Sequence, residues 1–417
     1  MRILFVHQNF PAQYVHLAPA LAARGHEVRA LAISEQRQAL PGVQVWRYGV
    51  KRGNTAGIHP WVVDVETKVL RGEACAHAAA QLAQRGYAPD LICVHPGWGE
   101  ALFLREVWPK ARQLHFVEMY YGAEGQDVGF DPEFPGVDLA ARCRLVMKNS
   151  ALLQGLVTMD AGISPTHWQA GTVPALFQPK LTVLHDGIDT RRASPNPQAR
   201  FQATTQATTQ AGLTLDLTVA DEVLSFINRN LEPSRGYHRF MRALPGILQR
   251  RPQAQVVIVG GSDVSYGARP AHGTYQQIYL DEVREAIGEA NLARVHFVGR
   301  IPHASLMALF QVTRAHVYLS YPFVLSWSLL EAMACEAPIV GSDTAPVREV
   351  ITTGDTGVLV DFFDTAALVD AACDTLAQPR GTAALGRRAR ELVLARYDLA
   401  RVCLPQQVAL AEGMAAG

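Results

Sequence analysis

The stretch from His316 to Val350, HVYLSYPFVLSWSLLEAMACEAPIVGSDTAPVREV, constrains the fold more than any other. An apolar run gives way to a polar loop, then to a helix-periodic segment opening near Ser326 to Ser328. A second apolar run follows at Pro338 to Gly341, and then another helix start. Strands that alternate with helices imply parallel pairing in a doubly wound sheet. In such a sheet ligands bind at the carboxyl ends of the strands, and amides at a helix N-terminus hold a phosphate without a basic side chain. Glu331 sits near that helix end, and each oxygen of a carboxylate accepts a hydrogen bond, which suits paired sugar hydroxyls. Ser328-Leu-Leu-Glu331 also spells a helix capping box. The local pattern leaves both readings open.

The same alternation runs through most of the chain. Arg2–Val6 is predicted as a strand, Tyr14–Arg24 as a helix stopped by Gly25, and Glu27–Ile33 as the next strand. Asp90–His95 and Gln113–Val117 are further short strands. Between Asp189 and Asp221 the texture changes: RRASPNPQARFQATTQATTQAGLT is rich in Ala, Thr, Gln and Pro. It reads as a connection or surface excursion with little core of its own. Beyond it come strands Val223–Ile227, Gln255–Val259, Val295–Val298 and His316–Leu319, with helices predicted over Tyr237–Gln249 and Ser305–Phe310. The expected organisation is a first α/β domain over 1–188 and a second over 189–397. The stretch Leu385 to Glu412 is helical in pattern, and a C-terminal helix over about 398–417 is expected to return to the first domain.

Composition narrows the function. A length of 417 residues with 49% hydrophobic and 18% charged residues describes a packed chain of two or three domains. A formal net charge of zero argues against a nucleic-acid partner. The six cysteines are scattered without a CxxC pair, which points to buried thiols in a reducing compartment, not a metal site. No apolar stretch approaches the roughly 20 residues that span a bilayer. The expected location is cytoplasmic, with peripheral contact at the inner face of a membrane left open.

No GxGxxG follows a strand and no GxxxxGK[ST] occurs, so hydride transfer through NAD and P-loop hydrolysis lack support. The strongest anion candidate is Asn228-Arg-Asn-Leu-Glu-Pro-Ser-Arg-Gly236. It places Arg229 and Arg235 in an expected turn after the first strand of the second domain. The guanidinium fork donates bidentate bonds to phosphate. Gly260-Gly261 ends another strand where a ligand can approach the backbone, and Val298-Gly-Arg-Ile301 closes a further one. In the first domain His95 and Glu118 lie at or just past strand ends, in CVHPGWGE and HFVEMYY. Each is suited to address a hydroxyl, and each also has an ordinary structural reading. The polar loop His7, Gln8, Asn9 and Gln13 is a further candidate wall.

Taken together, these segments resemble the retaining glycosyltransferases of family 4, over nearly the whole chain. The motifs that carry the resemblance are LLEAMACEAPIVGSDTAPVREV (329–350), RNLEPSRG (229–236), HDGID (185–189) and HFVGRIPHASL (296–306). The resemblance implies a GT-B fold, in which two Rossmann-like domains face each other across a cleft. It implies transfer of a sugar from a nucleoside diphosphate sugar, with neither metal nor separate cofactor. Arg229 and Arg235 are then expected to hold the donor diphosphate, and Glu331 the ribose. Leu325, Ser326, Trp327 and Ser328 are expected at the diphosphate or sugar, with Arg300 and Ile301 at the base and Gly260 and Gly261 beside the donor. His95 and Glu118 are the expected first-domain groups near a hydroxyl acceptor, with a lipid-linked glycan among the acceptors considered. This chain departs from the pattern at Phe323, where a first Glu stands eight residues before the helix Glu in other members. Two rival readings remain at this level: a GT-B nucleotide-sugar epimerase, and a non-catalytic nucleotide-sugar binder.

Overall fold

The computed structural model describes residues 1–34, 39–206, 212–265, 267–378 and 384–416. They form two compact units, Met1–Gly187 with Ala400–Gly417, and Ile188–Leu399. The first holds strands β1 (Arg2–Val6), β2 (Glu27–Ala32), β3 (Val43–Arg47), β4 (Leu91–Val94), β5 (Arg112–Phe116), β6 (Ala161–Ser164) and β7 (Leu181–Val183). They lie in the order β3-β2-β1-β4-β5-β6-β7, and every pairing is parallel. Strand β4 is buried throughout, as expected of a parallel strand covered on both faces.

The second unit opens with an antiparallel pair, β8 (Arg200–Thr204) and β9 (Thr214–Thr218). The stretch expected to carry little core therefore carries some. Phe201 is fully buried, and with Leu215 and Leu217 it joins the main apolar cluster of this unit. The alternation Phe201, Ala203 and Leu215, Leu217 puts one face of each strand inward, a pattern obscured by the surrounding Thr and Gln. The second Ala-Thr-Thr-Gln repeat, 207–210, lies outside the described residues.

A parallel sheet follows: β10 (Val223–Asn230), β11 (Gln255–Gly261), β12 (Val295–Gly299), β13 (Ala315–Tyr318), β14 (Ile339–Ser342) and β15 (Val358–Val360). Its order is β12-β11-β10-β13-β14-β15. Phe226 on β10 stacks on Phe240 of the helix Tyr237–Arg250 with ring centroids 4.4 Å apart, and both are fully buried.

Two other elements differ from expectation. The first helix is Leu17–Ala23, preceded by a 3-10 turn over Ala12–Tyr14. Pro19 lacks an N–H and fits only the first turn of a helix, which places the start at Leu17. The chain from Leu385 to Glu412 is two helices, Ala384–Arg396 and Leu404–Ala416, separated by a π-helical turn over Leu399–Cys403. Val408 and Ala411 of the last helix are buried in one cluster with Ile3 and Phe5 of β1. Arg24 Nε and Nη2 donate to the two Glu412 oxygens at 2.7 and 2.9 Å, and these bonds, with one from His26, hold that carboxyl down at about 2. Among the described residues no helix is long and apolar enough to cross a membrane.

Burial keeps several histidines neutral: His7 and His115 are lowered to about 3, and His185, His296 and His316 to about 4. Unfolded, each takes up a proton near 6.5, so between that value and about 4 the unfolded chain binds more protons. Stability is then full above about pH 6.5 and falls as pH drops toward 4. The urea midpoint at pH 5 is expected below that at pH 7, and His296→Gln is expected to narrow the difference; an unchanged difference would contradict this account.

Candidate functional site

The topology fixes where ligands go. In the first unit the chain runs outward from β1 to β2 and β3, then returns to β4 on the other side of β1. In the second unit the same reversal lies between β10 and β13. Loops leaving neighbouring strands in opposite directions open a crevice at their carboxyl ends.

At the crevice of the second unit, Arg229 and Asn230 still belong to β10, so Arg229 is in the strand, not in the turn where it was expected. Its side chain is exposed. Arg235 ends a 3-10 turn, Pro233–Arg235. Its Nη1 donates to Ser320 Oγ at 3.1 Å, just past β13. Its guanidinium carbon also lies 5.3 Å from the centroid of Phe323. The aromatic ring at the position of the missing carboxylate thus backs Arg235 through a cation–π contact. Gly236 then turns the chain at φ 70°, and a Cβ there would stand 2.2 Å from Leu319 Cβ.

The helix opening differs from the capping-box reading. Ser326 is the N-cap and accepts from Ser328 N, and the helix runs Trp327–Ala334. Ser328 therefore lies inside the first turn, and Glu331 cannot serve as its box partner. Instead Glu331 Oε1 pairs with His303 Nε2 at 2.7 Å. The Ser326 amide is already engaged by the Tyr318 hydroxyl at 3.1 Å. Leu325 is buried in the main cluster, which leaves its backbone for a ligand, and Ile301, partly buried, packs against that cluster. Trp327 is exposed.

Arg300 lies across Gly261. Its Nη2 donates to Asn230 Oδ1 at 2.7 Å, and a Cβ on Gly261 would meet Arg300 Nε at 2.8 Å. A Cβ on Gly260 would meet Leu231 at 2.8 Å, so that glycine serves strand packing. Asn230 Nδ2 in turn donates to Ser265 Oγ at 2.8 Å, and the Ser265 amide donates to Glu232 Oε2 at 2.9 Å. Asn230, Glu232, Ser265, His303 and Ser320 were not singled out from the sequence. The first two sit inside the Arg229–Gly236 motif, His303 inside HFVGRIPHASL and Ser320 inside the His316–Val350 stretch, so the quoted segments were the available signal; Ser265 lies in a separate loop.

At the crevice of the first unit, His7 follows β1 and His95 follows β4, with their rings edge to face at 5.7 Å. His95 Nδ1 accepts from the Gly97 amide at 3.0 Å, which leaves the proton on Nε2. That nitrogen is 3.6 Å from Glu118 Oε2, an ion-pair distance too long for a direct hydrogen bond. Burial, then the charge of His95, pushes His7 down to about 3, so His7 remains a neutral imidazole. The Trp98 ring lies 5.7 Å from that of His95, tilted by 32°, and is partly open to solvent. Glu100 is buried, and desolvation raises its carboxyl. This wall can exchange hydrogen bonds with a polyhydroxylated ligand.

Residues 24–193 match the family model described as Glycosyl transferase family 4 group, and residues 218–392 that of Glycosyl transferases group 1. A GDP-mannose-dependent alpha-(1-6)-phosphatidylinositol monomannoside mannosyltransferase of Mycolicibacterium smegmatis is 28% identical over 53% of this chain, which spans 54% of that relative. A glycogen synthase of Mycobacterium tuberculosis is 25% identical over 95% of this chain and 91% of its own. Among solved structures, sucrose-phosphate synthase from Thermosynechococcus elongatus shares the fold at a TM-score of 0.72, with 22% identity and full coverage of both chains. The architecture is GT-B.

Gly236→Ala is expected to cost about 2 kcal/mol or more, because both the positive φ and the Leu319 contact resist a Cβ. Wild-type melting would contradict this.

Proposed function

We propose, for a chain that is a GT-B glycosyltransferase of the family 4 type, that it moves a glycosyl group from a nucleoside diphosphate sugar to a hydroxyl acceptor with retention at the anomeric carbon. The observation that carries this reading is Arg235, fixed by Ser320 and Phe323 at the β10/β13 crevice. Negative charge builds on the diphosphate as the glycosidic bond breaks. Preorganised donors aimed at that charge supply the largest stabilisation in such a reaction. Arg235 is held in place before the donor arrives, while Arg229 is exposed and adds its charge from the end of β10. In this reading the arginines serve in place of a metal, and no other cofactor takes part.

Glu331 receives the ribose hydroxyls, and Arg300 with the backbone at Ile301 borders the base. Gly260 and Gly261 form the floor, Gly261 by admitting the Arg300 side chain. Amides at the opening of this helix, from Leu325 to Ser328, border the anion site; that of Ser326 is engaged by the Tyr318 hydroxyl and that of Ser328 donates to Ser326 Oγ. On the acceptor side, His95 holds its proton toward Glu118, and the pair addresses the incoming hydroxyl. The acceptor class is a glycan or glycolipid hydroxyl, supported by relatives named for glycogen and for a phosphatidylinositol mannoside. A role in glycan or glycoconjugate biosynthesis, at a cytoplasmic or inner-membrane face, follows from that class.

Arg235→Ala is expected to lower kcat/KM about 100-fold to 1000-fold, as loss of one preorganised charge donor does. Glu331→Ala is expected to raise the donor KM. Labelled donor incubated with glycan and glycolipid acceptors should give an α-linked product from an α-donor, read by NMR. Free nucleoside diphosphate without transfer, or full activity in both variants, would sink the reading.

A further inference from the structure

We propose that His303 is a positioning residue for Glu331, pinning one carboxylate oxygen so that the other is presented to the ribose hydroxyls of the donor nucleotide. The proposal rests on the reading of Glu331 as the ribose ligand given above.

His303 opens the helix His303–Val312, and Glu331 lies in the helix Trp327–Ala334. Beneath them, Met307 and Leu309 of one helix and Leu329 and Leu330 of the other share a buried apolar cluster. The spacing of the two helices is therefore set by packing, and the hydrogen bond lies above it. His303 Nε2 stands 2.7 Å from Glu331 Oε1, with the imidazole 46% and the carboxylate side chain 16% exposed.

An ionised carboxylate has lone pairs and no proton, so Nε2 must be the donor. Glu331 forms no other side-chain hydrogen bond with a described residue. The last torsion of a glutamate is broad and two-fold, so without a partner the carboxylate plane is free to turn. The single bond from His303 removes that freedom and leaves Oε2 with both lone pairs for a ligand. A pair this open to water adds little to stability. Its consequence is preorganisation: a carboxylate already oriented loses less freedom when it binds a diol.

The test is a binding cycle with four proteins: wild type, His303→Ala, His303→Gln and Glu331→Ala. UDP and GDP, each beside its 2′,3′-dideoxy counterpart, are the probes, read by titration calorimetry. Wild type is expected to prefer the ribose form, and His303→Ala to lose about fivefold to tenfold in affinity for it, a part of what a hydrogen bond to a charged group contributes. Affinity for the dideoxy form should not change. His303→Gln, whose amide can still donate, should recover most of the loss, and donor KM should rise in His303→Ala while kcat holds.

Equal loss for both nucleotide forms, or no loss, would overturn the role of His303. If Glu331→Ala still lowered the ribose preference, the ribose reading itself would stand. If Glu331→Ala left that preference intact, or if neither UDP nor GDP bound wild type, the reading of the site and this proposal would fall together. Thermal melting without nucleotide should be close to wild type for both His303 variants, which separates positioning from loss of fold.

Discussion

Parallel strand pairing is the constraint on which the rest of this structure depends. Parallel neighbours need a crossover between them, so every strand in a sheet ends at the same edge and every following loop opens there. His7 and His95 come to lie ring to ring because β1 and β4 pair in register, Val6 beside Val94. Arg235 reaches Ser320 for the same reason, since β10 and β13 pair side by side. Residues far apart in the chain, such as Asn230 and Arg300, become partners at one edge without any local sequence relation.

Within the second unit the polar groups form two linked arrangements. Arg235 is held by a hydroxyl and an aromatic face, and Arg300 by Asn230 over a glycine that has no room for a side chain. Fixing a guanidinium in advance lowers the reorganisation needed when a phosphate arrives. Phe323 illustrates a different outcome from the one its position suggests. Where a carboxylate was expected, an aromatic ring backs the Arg235 guanidinium. The buried histidines behave oppositely, kept neutral by desolvation and bonded to Gln113, Gln255 and Ser225.

Much of the architecture was legible in the chain. Apolar runs such as Leu91–Val94 and Val256–Val259 carry no polar residue, as strands buried on both faces require. Legibility failed where short-range patterns compete. Ser328-Leu-Leu-Glu331 satisfies a capping box on paper, yet Ser326 is the cap because the helix begins two residues earlier than that box requires. Arg229 was placed in a turn, but β10 continues to Asn230 through a register irregularity against β11. The Thr- and Gln-rich stretch hid Phe201 and Leu215, whose alternation is too brief to stand out from its surroundings.

The sequence by itself determined the alternation of strands and helices, and with it the two sheets and the edge at which polar loops collect. Periodicity and glycine placement act locally, so they can be read without the fold. Only the tertiary structure decided which of these residues meet: His303 with Glu331, Arg300 with Asn230, Arg235 with Ser320 and Phe323, and His7 with His95. Those partnerships depend on strand order and register. These are settled by how whole elements bury their apolar faces, a sum over many contacts that no single motif encodes.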